Sequence, residues 1–292
     1  MLLATDGSDQ ARLARDLVHA AAWPAGTTVR VVEALGTTPT FAGLTAAMRD
    51  ELLGAAAEMA RPELAEFVKP LARADLTIEQ AVLEGRAGTT IVEDARTRGA
   101  DVIVVGSHGR GALGSLVLGS VSAEVVDRAP CPVLVARRSS LSRVVFAEDG
   151  SEGAKRAADA IATWPMFRTA SVRVVSVAHV GDYLRSGVAP SQRRAAREAQ
   201  RQATAALREE HGRLGDSTSK RFADAGLVSS AEVREGDPAR QLVEAAHEFD
   251  ADLIAVGSRG RTVLAQILLG SVARGVLLYS PTSVLVARAA KG

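Results

Sequence analysis

The chain has 292 residues, 47% of them hydrophobic and 24% charged, which is the composition of a folded globular protein and excludes a disordered one. Its 35 basic and 34 acidic residues give a formal net charge of +1, so no overall field would attract nucleic acid or an anionic membrane. Since one domain usually takes about 100–200 residues, this length predicts two domains.

The amino-terminal segment Met1–Asp6 is a short apolar run that leads directly into an acidic turn. It lacks the basic start and the long apolar stretch of a signal peptide. No apolar run elsewhere approaches the ~18 residues of a membrane span. We therefore expect a cytoplasmic protein with no membrane partner.

Short β-branched apolar runs then alternate with amphipathic segments, a pattern that predicts parallel strands joined by helical crossovers. The predicted strands are 2–5, 28–34, 76–83, 101–106 and 132–137, and the predicted helices are Gln10 to Ala22, Thr45 to Ala72, Ala87 to Arg98 and Gly119 to Arg128. These elements form an open, doubly wound α/β layer, a five-stranded parallel sheet with helices on both faces. Such sheets bind ligands outside the carboxyl ends of the strands, where the strand order reverses.

The remainder of the chain repeats this pattern. Leu3–Ser8 (LATDGS) returns as Phe146–Ser151 (FAEDGS), and Val102–Arg110 (VIVVGSHGR) returns as Leu253–Arg261 (LIAVGSRGR). A domain-scale repeat predicts two domains of the same fold, here 1–138 (half one) and 143–292 (half two), joined by a tight polar linker. Half two adds a strongly charged predicted helix from Gln192 to Leu214.

A glycine-rich segment follows the fourth strand of each half. In half one Gly106 and Gly109 are followed after nine residues by Gly119-Ser120, and half two keeps the spacing with Gly257, Gly260 and Gly270-Ser271. Glycines here let backbone N–H groups approach an anion, and a helix that opens on Gly-Ser adds amino-terminal amides and a hydroxyl, so the segment can cradle a phosphate chain. The alternative is that the glycines only allow tight turns and packing, with both serines as helix N-caps.

Asp6 and Asp149 end the first strand of each half, at the edge of the expected crevice. A carboxylate there could accept hydrogen bonds from ribose hydroxyls or adenine. Helix capping explains an aspartate at such a position equally well.

The other motifs give weaker evidence of function. Gly109–Gly114 reads G-x-G-x-x-G but follows the fourth strand and not the first, and no Walker A sequence is present. Arg110 and Arg261 could supply positive charge at matching positions. His108 is replaced by Arg259 in half two, which argues against a shared catalytic histidine. The remaining histidines and the lone cysteine are expected to be structural, and no metal site is predicted: His19, His179, His211, His247 and Cys131.

Taken together, the strand-Asp-Gly-Ser turn, the Gly-x-x-Gly-x9-Gly-Ser segment and the final Pro-x-Val-Leu-Val strand resemble the universal stress protein family, in its ATP-binding branch. The resemblance covers nearly the whole chain twice and implies the adenine nucleotide alpha hydrolase-like fold. It implies ATP as the ligand, with Mg²⁺ accompanying the phosphates. The residues it implies at the nucleotide are Asp6, Ala34, Val105, Gly106, Gly109, Gly119, Ser120 and Val121 in half one, and Asp149, Val177, Val256, Gly257, Gly260, Gly270, Ser271 and Val272 in half two.

Glu148 departs from the family pattern, since a small or hydroxyl residue usually precedes the aspartate. A second carboxylate near an anionic ligand should weaken binding in half two unless it is paired.

The resemblance implies a regulatory protein of stress adaptation that binds ATP and has no catalytic residues, with slow hydrolysis at most. An ATP-dependent enzyme of the same superfamily and a scaffold with vestigial pockets remain the alternatives. It also implies that the halves pair as a pseudo-dimer through their last strands, Pro132 to Arg137 against Ser283 to Arg288, which leaves other surfaces for a homodimer of chains.

Overall fold

The computed structural model describes residues 1–36, 45–109, 118–179, 193–260 and 269–288. The G-x-G-x-x-G segment beyond Gly109, together with Arg110 and Arg261, lies outside the described residues. The ten strands are Leu2–Thr5 (β1), Thr27–Leu35 (β2), Leu76–Glu84 (β3), Ile103–Gly106 (β4), Val133–Ala136 (β5), Arg143–Ala147 (β6), Ser171–Ala178 (β7), Val228–Glu235 (β8), Leu253–Gly257 (β9) and Ser283–Ala287 (β10).

The helices of the described ranges alternate with these strands as predicted. They are Asp9–Ala20 (α1), Ala46–Val68 (α2), Ala87–Thr97 (α3), Ser120–Arg128 (α4), Glu152–Thr163 (α5), Arg193–Asp224 (α6), Pro238–Glu248 (α7) and Ser271–Tyr279 (α8). The largest error of the sequence-based prediction is the end of α6, which continues to Asp224 instead of ending at Leu214. Tertiary contact explains the extension, because Phe222 is fully buried and its ring meets that of Phe146 edge to face at 5.3 Å.

All ten strands join one continuous sheet in the order β3-β2-β1-β4-β5-β10-β9-β6-β7-β8. Each half contributes five parallel strands, and the halves meet where β5 and β10 pair antiparallel, with Val135 opposite Val284 and Val133 opposite Val286. The predicted pairing of the last strands is therefore confirmed. Each edge strand covers the other, so neither leaves its backbone groups unpaired.

Helices cover both faces of the sheet, as the doubly wound prediction requires. On one face α1, α2, α5 and α6 bury apolar residues that include Leu17, Leu64 and Ile161. On the other face α3, α4, α7 and α8 do the same with residues that include Val125 and Leu242. No helix within the described ranges combines the length and the apolarity needed to cross a membrane.

Two equivalent arginines cross the boundary between the halves. Arg137, after β5, donates from Nη2 to the Leu277 carbonyl in the last turn of α8 at 2.6 Å. Arg288, after β10, donates to the Val126 carbonyl in the last turn of α4. A cation near a helix carboxyl terminus is favourable, but burial disfavours charge and lowers the pKa of Arg137 to about 10. Each half thus binds the helix that follows the glycine segment of the other half.

Candidate functional site

A cavity lies at the carboxyl ends of the strands in each half, where the strand order reverses. The reversal falls between β1 and β4 in half one and between β6 and β9 in half two, the place where doubly wound sheets bind ligands. The cavities measure about 420 Å³ in half one and about 250 Å³ in half two. The structure brings together every site residue implied for each half. The half-one cavity is lined by Asp6, Ala34, Val105, Gly106, Gly109, Gly119, Ser120 and Val121, and the half-two cavity by Asp149, Val177, Val256, Gly257, Gly260, Gly270, Ser271 and Val272.

The Asp-Gly-Ser turn forms one rim of each cavity. Its glycine has a positive φ, +71° at Gly7, a conformation that residues with a Cβ rarely adopt. Oδ1 of Asp6 accepts the Ser8 N–H at 3.0 Å, and Oδ1 of Asp149 accepts the Ser151 N–H at 2.9 Å. The serines are the N-caps of α1 and α5. The aspartates therefore shape the turn with one oxygen and do not cap the helix.

The first glycine of each loop serves packing. A Cβ on Gly106 would lie 2.8 Å from the backbone carbonyl carbon of Gln10, and one on Gly257 would lie 2.6 Å from that of Gly153. Real Cβ atoms do not approach backbone so closely, so any side chain would push α1 or α5 away from the strand. The packing alternative therefore holds for Gly106 and Gly257.

The second glycine of each loop lies against the aspartate. A Cβ on Gly109 would be 2.4 Å from Oδ2 of Asp6, and one on Gly260 would be 2.9 Å from Oδ2 of Asp149. The neighbouring atom is the end of a side chain that can move, not the backbone of another element. The absence of a side chain at these two positions keeps the cavity open beside the carboxylate.

The third glycine of each segment immediately precedes a helix. Gly119 and Gly270 are the N-caps of α4 and α8, and neither helix has a side-chain cap. The interpretation of Ser120 and Ser271 as N-caps is therefore wrong, because both are exposed first residues of the helix. Without a capping side chain, the first-turn N–H groups remain available to an anion.

The residue before the aspartate, at the Asp-Gly-Ser turn, differs between the halves. In half one Oγ1 of Thr5 accepts the Gly7 N–H at 3.0 Å. In half two Oε1 of Glu148 accepts the equivalent Gly150 N–H at 2.7 Å, while its Oε2 accepts from Oγ1 of Thr218 on α6 at 2.6 Å. Glu148 is buried, with 7% of its surface exposed. Both donors are neutral groups, and together they hold the Glu148 side chain in place.

His211 on α6 lines the half-two cavity, although a structural role was expected for it from the sequence. Only 8% of its surface is exposed, and its Nδ1 has no hydrogen-bond partner among the residues that the structure describes. No spacing signal could have identified it, because it lies far along the chain from every motif. Arg259 also lines this cavity, at the position that His108 occupies in half one.

A larger cavity of about 720 Å³ lies elsewhere, at the amino-terminal ends of β1 and β4, with Met1, Trp23 and Asp101 in its lining. Its described lining includes no residue of the glycine segments. Size alone would favour it as a ligand site, but in parallel sheets ligands bind at the carboxyl ends of the strands. We therefore assign the candidate sites to the two smaller cavities.

Comparisons with known proteins agree with this repeated architecture. Residues 1–137 and 141–288 each match the model of the universal stress protein family. A universal stress protein of Thermus aquaticus, from the 3′ region of QAH/OAS sulfhydrylase, is 40% identical over 140 residues, which are 47% of this chain and 97% of that protein. A universal stress protein of Mycolicibacterium smegmatis is 31% identical over 219 residues, 73% of this chain and 69% of that protein.

Among solved structures, a universal stress protein from Archaeoglobus fulgidus superposes with a TM-score of 0.64 at 20% identity. The match covers 99% of this chain and 96% of that one. At this identity the likeness concerns the fold alone, and it extends over both halves together.

Proposed function

The chain belongs to the universal stress protein family, and from this premise we propose that it binds an adenine nucleotide, ATP, in each half. We propose further that it acts in the cytoplasm as a regulatory module of stress adaptation, in which nucleotide occupancy changes its conformation or assembly. The observation that carries the proposal is the helix without a side-chain cap that begins after Gly119 or Gly270 in the lining of each cavity, which also includes an aspartate.

Different groups in the lining suit different parts of a nucleotide. The first-turn N–H groups of α4 and the Ser120 hydroxyl offer donors to phosphate oxygens, and the helix dipole favours negative charge there. Asp6 can accept from ribose hydroxyls, while Ala34 and Ile91 provide apolar surface for a base. Mg²⁺ would accompany the phosphates, and no protein ligand is assigned to it.

Binding without rapid turnover is the expected behaviour. Fast phosphoryl transfer needs a group that orients the attacking water as well as positive charge on the leaving oxygens. Asp6 is the only carboxylate among the described residues that line the half-one cavity, and its Oδ1 is engaged in the turn. Single-turnover hydrolysis of labelled ATP should therefore be far slower than ~1 s⁻¹. A faster rate that disappears in the Gly109→Val/Gly260→Val double variant would establish the ATP-dependent enzyme instead.

The direct test is to denature freshly purified protein, to identify and count the released small molecules, and then to titrate the ligand-free protein with ATP by calorimetry. We expect an adenine nucleotide and up to two sites per chain. If folded, ligand-free protein shows no binding of any adenylate, the proposal fails and the scaffold with vestigial pockets is favoured.

A further inference from the structure

Helix α6 lies close enough to the sheet to form a wall of the half-two cavity. A Cβ on Gly215 would lie 3.5 Å from Cβ of Ala231 on β8 and 3.5 Å from Oγ of Ser176 on β7. A large side chain at Gly215 would therefore push α6 outward. Among the described residues of α2, the corresponding helix of half one, none lines the half-one cavity.

Two side chains of α6 point toward the same region from one face of the helix. Thr218 donates to Glu148 at the end of β6, and His211, two helical turns earlier, lines the cavity. Residues seven apart lie on one face of a helix. The bond between Thr218 and Glu148 thus fixes α6 against the sheet and holds His211 at the cavity.

The Nδ1 of His211 is unusual in having no partner among the described residues, because a buried polar atom is almost always hydrogen-bonded. An unpaired one costs free energy that a bound ligand can recover by supplying the partner. Apolar surface from Val177 and Leu242 lies in the same cavity. A planar base or a ribose between these residues would bring donor and acceptor groups within reach of the imidazole.

The size of the cavity limits the ligand. Sites that enclose most of a drug-sized ligand measure about 300–1,000 Å³. The half-one cavity of about 420 Å³ falls within this range, and the half-two cavity of about 250 Å³ falls below it. The second cavity therefore suits a shorter ligand.

We propose that half two is a site for a nucleoside monophosphate, with Nδ1 of His211 hydrogen-bonded to the nucleoside and the phosphate at the amino terminus of α8. The proposal rests on the proposed function, since it assumes that both cavities take nucleotides. It refines that function by giving the halves different preferences among adenine nucleotides, for the triphosphate in half one and for the monophosphate in half two.

The test measures each half separately by calorimetry with AMP and ATP. Gly109→Val blocks nucleotide binding in half one, and Gly260→Val blocks it in half two. With half one blocked we expect AMP to bind at least as tightly as ATP, and with half two blocked we expect ATP to bind more tightly than AMP. If both halves prefer ATP, the proposal is overturned while the proposed function stands, and if both prefer AMP, the proposal and the assignment of ATP fail together. If neither half binds any adenylate, both fail.

Variants of His211 test the contact itself. His211→Leu keeps much of the side-chain volume without a hydrogen-bonding group and should weaken AMP binding in half two roughly tenfold. His211→Asn places an amide near the position of Nδ1 and should retain most of the affinity. Unchanged melting and unchanged ATP binding in half one show that each variant is folded.

A spectroscopic readout separates contact from structural support. In protein with ¹⁵N-labelled histidine, AMP should shift the Nδ1 resonance of His211, and Gly260→Val should abolish that shift. AMP affinity unaffected by His211→Leu, or a resonance that does not respond to saturating AMP, would overturn the assignment of His211.

Discussion

The two cavities share a backbone and differ in side chains. In both halves an Asp-Gly-Ser turn, three glycines and an uncapped helix adopt the same arrangement. Before the aspartate Thr5 corresponds to Glu148, and His211 has no equivalent among the described residues of α2. The comparison teaches that an arrangement of backbone N–H groups is retained when the side chains around it change. Selectivity between the halves must then come from the side chains.

The largest loss of nucleotide affinity should come from placing a side chain at the second glycine of a loop, Gly109 or Gly260. Gly109→Val places a side chain beside Asp6, where a Cβ alone would lie 2.4 Å from Oδ2, and Gly260→Val does the same in half two. We expect each variant to weaken nucleotide binding about 100-fold in its own half and to leave the other half unchanged, as measured by calorimetry.

Gly54→Ala is the matched control, because a Cβ at that position of α2 meets nothing within 4 Å. Its binding should equal that of the wild type. Loss of both sites from either single valine variant would show that the cavities are not independent.

Exchanging the residues that precede the aspartates, Thr5 and Glu148, should alter the difference in ATP affinity between the halves. Glu148→Thr removes a negative charge from the half-two cavity and keeps an oxygen for the Gly150 N–H, as Thr5 does for Gly7. We expect ATP to bind half two about fivefold more tightly in this variant, and Thr5→Glu to weaken ATP binding in half one by a similar factor.

Both changes should shrink as salt is added, because they arise from charge. Asp224→Asn removes a carboxylate at the exposed end of α6 and serves as the control for net charge. If Glu148→Thr leaves the affinity of half two for ATP unchanged at low salt, charge repulsion does not explain the difference between the halves.

The sequence predicted the shared backbone better than the side-chain differences. The alternation of strands and helices follows from apolar periodicity, and the matching glycine segments follow from the repeat. The pairing of the last strands was implied by the family resemblance. The role of His211 could not be predicted, because it depends on how closely α6 approaches β7 and β8. The same dependence on tertiary contact accounts for the error at the end of α6, which packing of Phe222 on Phe146 extends to Asp224.

The two arginines at the boundary between the halves should contribute differently to the free energy of unfolding. Among the described residues, those with a buried side-chain nitrogen that has no hydrogen-bond partner include Arg137, at Nε and Nη1, and do not include Arg288. Replacing a poorly paired buried charge by an apolar residue is often neutral or stabilising. We therefore expect Arg137→Met to change the free energy of unfolding by less than about 0.5 kcal/mol, and Arg288→Met to lower it by about 1 kcal/mol. Equal losses in urea unfolding of the two variants would contradict this asymmetry.

The smallest effect should come from the hydroxyls at the helix openings. Ser120→Ala and Ser271→Ala leave the N-caps Gly119 and Gly270 intact, so both helices should remain folded and the backbone N–H groups should still bind phosphate. Because both hydroxyls are exposed and water can replace them, each variant should lose only about threefold in nucleotide affinity, and only in its own half. Because this part of the backbone is the same in both halves, the two factors should agree even though the ligands differ. A loss of tenfold or more in one half alone, measured by calorimetry, would mean that the cradles are not equivalent and that the difference between the halves extends to the phosphate end.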